Sequence, residues 1–270
     1  MTKLPTLDAH AHLNPKRTST ELTDIGAVLA MTLSLEEAEL VTRRSEPLLA
    51  WGVGCHPRKL KSQQAFDPER FEQLAMNCAV IGEIGLDEAY AVPLDLHLST
   101  LRTALGFAAE HPRIVSLHSY RSTSLMLEEL KRTPVIAPIL HWWTGTTAET
   151  RQAVELGCYF SVHSAVARHS IFRTQVPLER LLVESDHGWA DPPGAIPHRV
   201  IWVEYLLSAN LRMPVQEIRQ LVWLNFAELV RQTATIDLLP SSISQLVKMA
   251  SSQVVTQPIN WTVTNSPEPK

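Results

Sequence analysis

Asp8-Ala9-His10-Ala11-His12 closes the first apolar run of the chain, Leu4 to Leu7. In a β-strand, residues two apart project from one face, so Asp8, His10 and His12 would point together while both alanines face away. Two imidazoles so placed can close on one metal ion. Neutral imidazole suits Zn, Fe, Ni or Cu, and added carboxylates extend the choice to Mn and Mg. With eleven histidines among 270 residues, some pairs fall two apart by chance. The motif therefore acquires meaning from what the rest of the chain sets beside it.

The elements that would position such a site are legible as short runs rich in Val, Ile and Leu: Leu4 to His10, Ile25 to Met31, Leu48 to Gly54, Cys78 to Gly85, Arg113 to Ser119, Val135 to Trp143, Cys158 to Ser164 and Leu181 to Asp186. Continuous rather than alternating apolarity suits strands buried on both faces, as parallel sheets covered by helices require. Helical segments fill the gaps. Asp67 before Pro68 is a capping residue ahead of a first-turn proline, and Thr146-Thr147-Ala148-Glu149 reads as a capping box. Ser122 to Arg132 and Pro214 to Arg231 carry helical apolar spacing. Eight βα units predict a (β/α)8 TIM barrel, whose functional residues gather at the C-terminal ends of the strands. The doubly wound open sheet is the alternative, but it needs a glycine-rich first turn, and Asp8 to Pro15 has no glycine. The reading places one barrel domain over residues 1–238. Residues 239–270, Ser-rich and then running through Pro258 to Asn265-Ser266-Pro267-Glu268-Pro269-Lys270, read as a partly flexible tail with at most one short helix.

Sorting the polar residues onto these strands gathers them. His10 and His12 end the first strand, His56 follows the third, Glu83 lies in the fourth, and His118 ends the fifth. His141 lies late in the sixth, His163 ends the seventh, and Asp186 with His187 ends the eighth. Glu83 stands in Val80-Ile81-Gly82-Glu83-Ile84-Gly85, where a lone carboxylate is penalised unless paired or bound to metal. Asp186 and Glu184 share a strand face, with Asp186 nearer the rim and Glu184 one layer deeper, either orienting other groups or forming a buried ion pair. His56 before Pro57 also reads as a turn cap, and His163 as a hydrogen-bonded rim residue.

Bulk properties narrow the classes. A net charge of −4 and a pI near 6.3 lack the basic excess of a general nucleic-acid binder, so phosphate contact would depend on metals or local patches. Cys55, Cys78 and Cys158 are widely spaced, which suggests neither a disulfide framework nor a thiolate zinc site and fits a reducing cytosol. The first residues lack a charged-then-apolar leader, and no apolar run approaches the ~18 residues of a membrane span. The expectation is a soluble cytoplasmic protein.

The chain resembles the TatD family of metal-dependent deoxyribonucleases, within the amidohydrolase superfamily of barrels. The resemblance is carried by Asp8-Ala-His10-Ala-His12, Gly54-Cys-His56-Pro57, Gly82-Glu83-Ile-Gly85-Leu-Asp87, Leu117-His118-Ser119, His141-Trp-Trp-Thr-Gly145 and Glu184-Ser-Asp186. These occur in the family's order, with Asn210-Leu-Arg212 and Asn225-Phe226 resembling its closing helices. It implies two divalent metal ions, Zn, Mn or Mg: His10, His12 and Asp186 on one, His118 and His141 on the other, and Glu83 bridging. It further implies that water activated at the site attacks phosphorus while Asp186 takes its proton, with His56 donating to the substrate phosphate. Asp8 is left as a further ligand or as a brace for the His10 imidazole.

Departures from the family pattern redirect part of this expectation. The family usually carries Arg two residues after the strand-five histidine, where this chain has Tyr120 followed by Arg121. His141-Trp142-Trp143-Thr144-Gly145 replaces the usual His-Cys-Phe-Ser-Gly, and His187-Gly188-Trp189 follows the strand-eight aspartate. Arg121, Trp142, His163 and His187 are the candidate substrate contacts. Rim tryptophans suit stacking on single-stranded bases or packing beneath a loop. The Leu140-His-Trp-Trp run and Cys158-Tyr-Phe-Ser161 resemble the TatD-like members of Qat anti-phage defence operons, which implies defence-operon protein partners. The expected activity is cleavage of DNA, as an exonuclease on single-stranded or frayed ends. The alternatives are hydrolysis of a small amide, lactone or phosphoester, and a defence-complex subunit whose activity its partners direct.

Overall fold

A computed structural model describes residues 4–22, 25–188 and 200–254. Trp189, Pro258 and the closing residues 265–270 lie outside the described residues. Eight strands follow one another around a sheet in sequence order: β1 Leu7–Ala11, β2 Ala27–Ala30, β3 Leu49–Val53, β4 Val80–Gly85, β5 Ile114–His118, β6 Ile139–Leu140, β7 Tyr159–Val162 and β8 Leu181–Val183. Every neighbouring pair is parallel. The ring closes just past β8, where the Asp186 amide donates to the His10 carbonyl at 3.0 Å and the His12 amide to the His187 carbonyl at 2.6 Å. The order never reverses, so the doubly wound alternative is excluded and the (β/α)8 barrel stands.

The α-helices are α1 Leu35–Val41, α2 Leu60–Gln64, α3 Pro68–Ala75, α4 Leu94–Glu110, α5 Thr123–Arg132, α6 Thr147–Glu155, α7 Ile171–Thr174, α8 Val200–Leu211, α9 Val215–Thr233 and α10 Ser241–Val254. Two begin as their sequence signals require. Asp67 accepts the Arg70 amide at 2.8 Å ahead of Pro68. Thr146 and Glu149 exchange the reciprocal bonds of a capping box at 3.3 and 2.8 Å. β6 and β8 are shorter than their apolar runs, and beyond their last paired residues His141 and Asp186 line the site.

Two irregularities in the sheet aim side chains. The β1–β2 register shifts between Asp8 and Ala11, and the β4–β5 register between Ile81 and Ile84. Such shifts bend a strand locally and redirect the residues within them; here they flank His10 and Glu83. Gly54 lets the β3 end approach this kink, since a Cβ there would stand 2.3 Å from the Gly82 carbonyl carbon and the Glu83 amide. Thr32 ties the layers together: its hydroxyl donates to the Gly52 carbonyl and receives the Gly54 amide, both at 3.0 Å.

The stretch after residue 239 carries one helix, as the sequence reading allowed. Ser241–Val254 is a 14-residue helix packed on α9, and Ile243, Val247 and Ala250 are buried in the main core. Its Ser content disguises an apolar stripe that recurs every three or four residues. Among the described residues no helix is long and apolar enough to cross a membrane. Cys55, Cys78 and Cys158 form no disulfide. Because α10 belongs to the core, Ile243→Ala should destabilise the whole barrel by about 2–5 kcal/mol. Chemical denaturation followed by tryptophan fluorescence should show one cooperative transition at a lower midpoint, whereas an unchanged midpoint would return α10 to the status of an appendage.

Candidate metal centre

At the C-terminal mouth of the barrel, one buried carboxylate collects imidazoles from four strand ends. Glu83 Oε1 lies 2.6 Å from His118 Nδ1 and 2.9 Å from His141 Nε2. Its Oε2 lies 2.9 Å from His12 Nε2, 3.2 Å from His56 Nε2 and 3.4 Å from His10 Nε2. Asp186 approaches the His10 and His12 side of this cluster, with Oδ1 at 3.9 and 3.5 Å from their Nε2 atoms. The residues expected from sequence as metal ligands are thus brought together, with the two oxygens of Glu83 facing two separate imidazole pairs.

Bonds on the outside of the rings orient them. His10 Nδ1 lies 2.7 Å from Ser116 Oγ, His118 Nε2 2.7 Å from Asp87 Oδ2, and His141 Nδ1 3.4 Å from Glu184 Oε1. Each bond turns the opposite nitrogen towards the centre and fixes which nitrogen presents a lone pair there. His56 is built the other way. Its Nδ1 accepts the Arg58 amide at 3.1 Å, so in the neutral ring the proton sits on Nε2, which faces the centre as a donor rather than a ligand.

Asp8 does not brace the His10 ring. Its oxygens take the Ser185 amide at 3.0 Å, the Ser185 hydroxyl at 2.5 Å and the His10 amide at 3.3 Å, which fastens β1 to the strand-eight end. Ser116, two residues before His118 on β5, is the brace that the sequence reading missed. Its signal was the shared strand face. Of the two roles left open for Glu184, its contact with His141 meets both, orienting the ring and forming a buried ion pair with it, and the Ser161 hydroxyl holds its other oxygen.

The electrostatics suit a cation. Burial works to raise the Glu83 carboxyl, but His56, His141 and His118 hold it well below the ordinary carboxylate range. Burial opposes charge on His141, yet Glu83 and Glu184 hold its pKa well above that of an ordinary imidazole. Burial, with the positive His141 beside it, takes His10 down to about 4, and burial also keeps His56 neutral. Asp186 is pushed up to about 7 by burial, against the pull of His12 and His141 and with Glu83 and Glu184 adding to the rise. Glu83 Oε2 and Asp186 Oδ1 are buried and receive no hydrogen bond. Two such oxygens amid imidazole nitrogens match the mixed N,O donor set of Zn, Mn or related divalent ions, whose binding would displace the His141 proton. Three overlapping groups already bring their donor atoms within 4.8 Å of one another: His10, His12 and Glu83; His10, His141 and Glu184; and His56, Glu83 and His118.

A cavity of about 390 Å³ opens over this cluster, lined by Arg58, Ser119, Tyr120, Trp142 and Thr144 with His56, Glu83, His118, His141 and Asp186. Trp142 reaches it with φ +42° and Asp186 with φ +46°, a left-handed backbone that non-glycine residues adopt at a cost where the surroundings enforce it. The other expected substrate contacts are placed differently. His163 stacks beneath Trp142 at 3.7 Å between ring centroids and so positions the indole. His187 is buried at the barrel closure. Arg121 stands outside the cavity, 5.5 Å from the Tyr120 ring. Arg58, which sequence reasoning passed over, is the arginine that lines it.

Comparison with known proteins agrees with this geometry. A family model described as TatD related DNase matches residues 7–235. Among curated proteins none matches the chain. In fold it is similar to the TatD homologue YJJV from Escherichia coli (TM-score 0.68, 23% identity, 83% of this chain and 97% of that one). It is also similar to a hydrolase of the TatD family from Entamoeba histolytica (TM-score 0.69, 16% identity, 85% and 99%). Dihydroorotase from Campylobacter jejuni shares the barrel more distantly (TM-score 0.52, 10% identity, 85% and 84%). The chain therefore belongs to the TatD-related DNase family of metal-dependent hydrolases.

Proposed function

We propose that this protein hydrolyses phosphodiester bonds of DNA at a two-metal centre, acting on single-stranded or frayed ends. The observation that carries the reading is the shared Glu83 carboxylate, one oxygen towards His10 and His12 and the other towards His118 and His141. His10, His12 and Asp186 would hold one ion, His118 and His141 the second, and Glu83 both. Divalent ions so held supply Lewis acidity towards phosphoryl oxygens and lower the pKa of water. The protein's own groups do the rest. His56 Nε2–H donates to a phosphate oxygen. Asp186, at the carboxyl end of the strand-eight run, accepts the proton of the attacking water at its carboxylate.

Trp142 and the exposed Tyr120 at the cavity wall favour unpaired bases, because aromatic rings stack on any base face that a duplex would hide. The three unpaired thiols accord with work in the cytoplasm. The Leu140–Trp143 and Cys158–Ser161 stretches support a role in anti-phage defence alongside operon partners.

Purified protein should carry two equivalents of divalent metal by elemental analysis and digest labelled single-stranded DNA faster than duplex. Chelation should abolish the activity, and Glu83→Gln or Asp186→Asn should lower kcat at least ~10³-fold. Metal-loaded protein inert on every form of DNA would sink the reading. Ser116→Ala, which frees the far side of the His10 ring, should weaken metal binding about 10–100-fold in chelator competition while the melting temperature of the metal-free protein stays nearly constant.

A further inference from the structure

Arg58 is held at the cavity wall by a chain of contacts that begins at the metal centre. Glu83 Oε1 faces His118 Nδ1 at 2.6 Å, His118 Nε2 lies 2.7 Å from Asp87 Oδ2, and the same oxygen receives Arg58 Nε at 2.5 Å. The guanidinium is further fixed by two tyrosines, 4.5 Å from the Tyr90 centroid and 5.4 Å from that of Tyr120. Both rings are substantially exposed, 48% and 42%.

On Tyr120 a second guanidinium, Arg121, stands 5.5 Å from the ring centroid. Arg121 has no carboxylate partner among the described residues, and its backbone takes the left-handed φ of +56°. Asp87 answers the charge of Arg58, so the uncompensated cation on this exposed ring is Arg121, which an anion lying along the ring would meet.

We propose that Arg58 binds the phosphate next to the scissile one, and that Arg58, Tyr120 and Arg121 form the track along which a single strand leaves the metal centre. The placement follows from the contacts. The scissile phosphate belongs over Glu83 and Asp186, and Arg58 stands a full imidazole ring beyond Glu83, on the far side of His118. The Arg58 guanidinium lines the cavity over the metal centre, and a guanidinium fork matches phosphate oxygens. Tyr120 between the two arginines offers a face for the intervening base. Asp87 is then a positioning residue, which sets His118 and Arg58 with one oxygen and so fixes the spacing between metal and neighbouring phosphate.

This inference rests on the proposed DNA substrate, and the test separates the two. Binding of a fluorescent single-stranded oligonucleotide is followed by anisotropy under chelation across a salt series, and cleavage of the same oligonucleotide is followed with metal restored. Arg58→Ala should flatten the slope of log affinity against log salt by about 0.7, the loss of one phosphate contact to single-stranded DNA. In cleavage it should lower kcat/KM about 10–100-fold. Making one linkage beside the scissile bond a neutral methylphosphonate should impose a similar loss on the wild type and little further loss on Arg58→Ala. Arg58→Gln, which keeps a donor to Asp87, serves should the alanine variant fold poorly, and should show the same coincidence.

An unchanged salt slope, or a methylphosphonate penalty that persists in full in the Arg58 variants, would overturn the assignment whether or not the protein cuts DNA. If the wild type binds DNA with the Arg58-dependent slope yet cleaves none with any metal, the nuclease reading fails while the phosphate contact stands. Absence of oligonucleotide binding by the wild type would overturn both.

Discussion

A carboxylate in the middle of an apolar barrel strand is tenable only if its charge is answered on every side, and much of this molecule is arranged around meeting that condition for Glu83. Its desolvation would be costly, so imidazoles converge on both oxygens from β1, β5 and the ends of β3 and β6. The backbone is adjusted to the same end. The β4 register shift, the missing side chain at Gly54 and the Thr32 clamp bring the carboxylate to the mouth without opening the core.

The surrounding bonds show how a barrel converts topology into precision. Each of three inward rings is steadied by a residue from another part of the chain, Ser116 for His10, Asp87 for His118 and Glu184 for His141. None of these supports lies beside its histidine in sequence, so displacing one strand also disturbs a ligand carried by another. Trp142 on His163 repeats the device at the rim, where one candidate substrate contact proves to be the support of another.

Most of the fold was legible because the signals were local. Apolar runs marked all eight strands, while Asp67-Pro68 and Thr146-x-x-Glu149 marked helix starts that the structure contains. A rim set that also held His56, His163 and His187 was legible because barrel strands present their C-terminal ends at one rim, and the resemblance to the TatD family singled out His10, His12, Glu83, His118, His141 and Asp186 from it. What escaped was non-local or disguised. Ser116 and Arg58 are unremarkable in sequence, and their roles depend on partners 106 and 29 residues away. Arg121 lies one residue past the position where the family carries its arginine, and the turn after His118 carries it outward and leaves Tyr120 on the cavity wall. In α10 the serines concealed an apolar stripe that needed α9 opposite it to become visible.

The closure of the ring between the first and last strands bears on the order in which the protein can become competent. Asp186 reaches its place through a bond from its amide to the His10 carbonyl, and Asp8 fastens Ser185 from the other side. The donor set therefore stays incomplete during synthesis until residue 186 has left the ribosome and docked against residues made well before it. A nascent chain presents His10 and His12 early, but without Asp186 they offer a passing ion only part of the site. Selection of the metal is thereby deferred to a nearly finished barrel, whose geometry rather than the earliest exposed imidazoles decides what is kept.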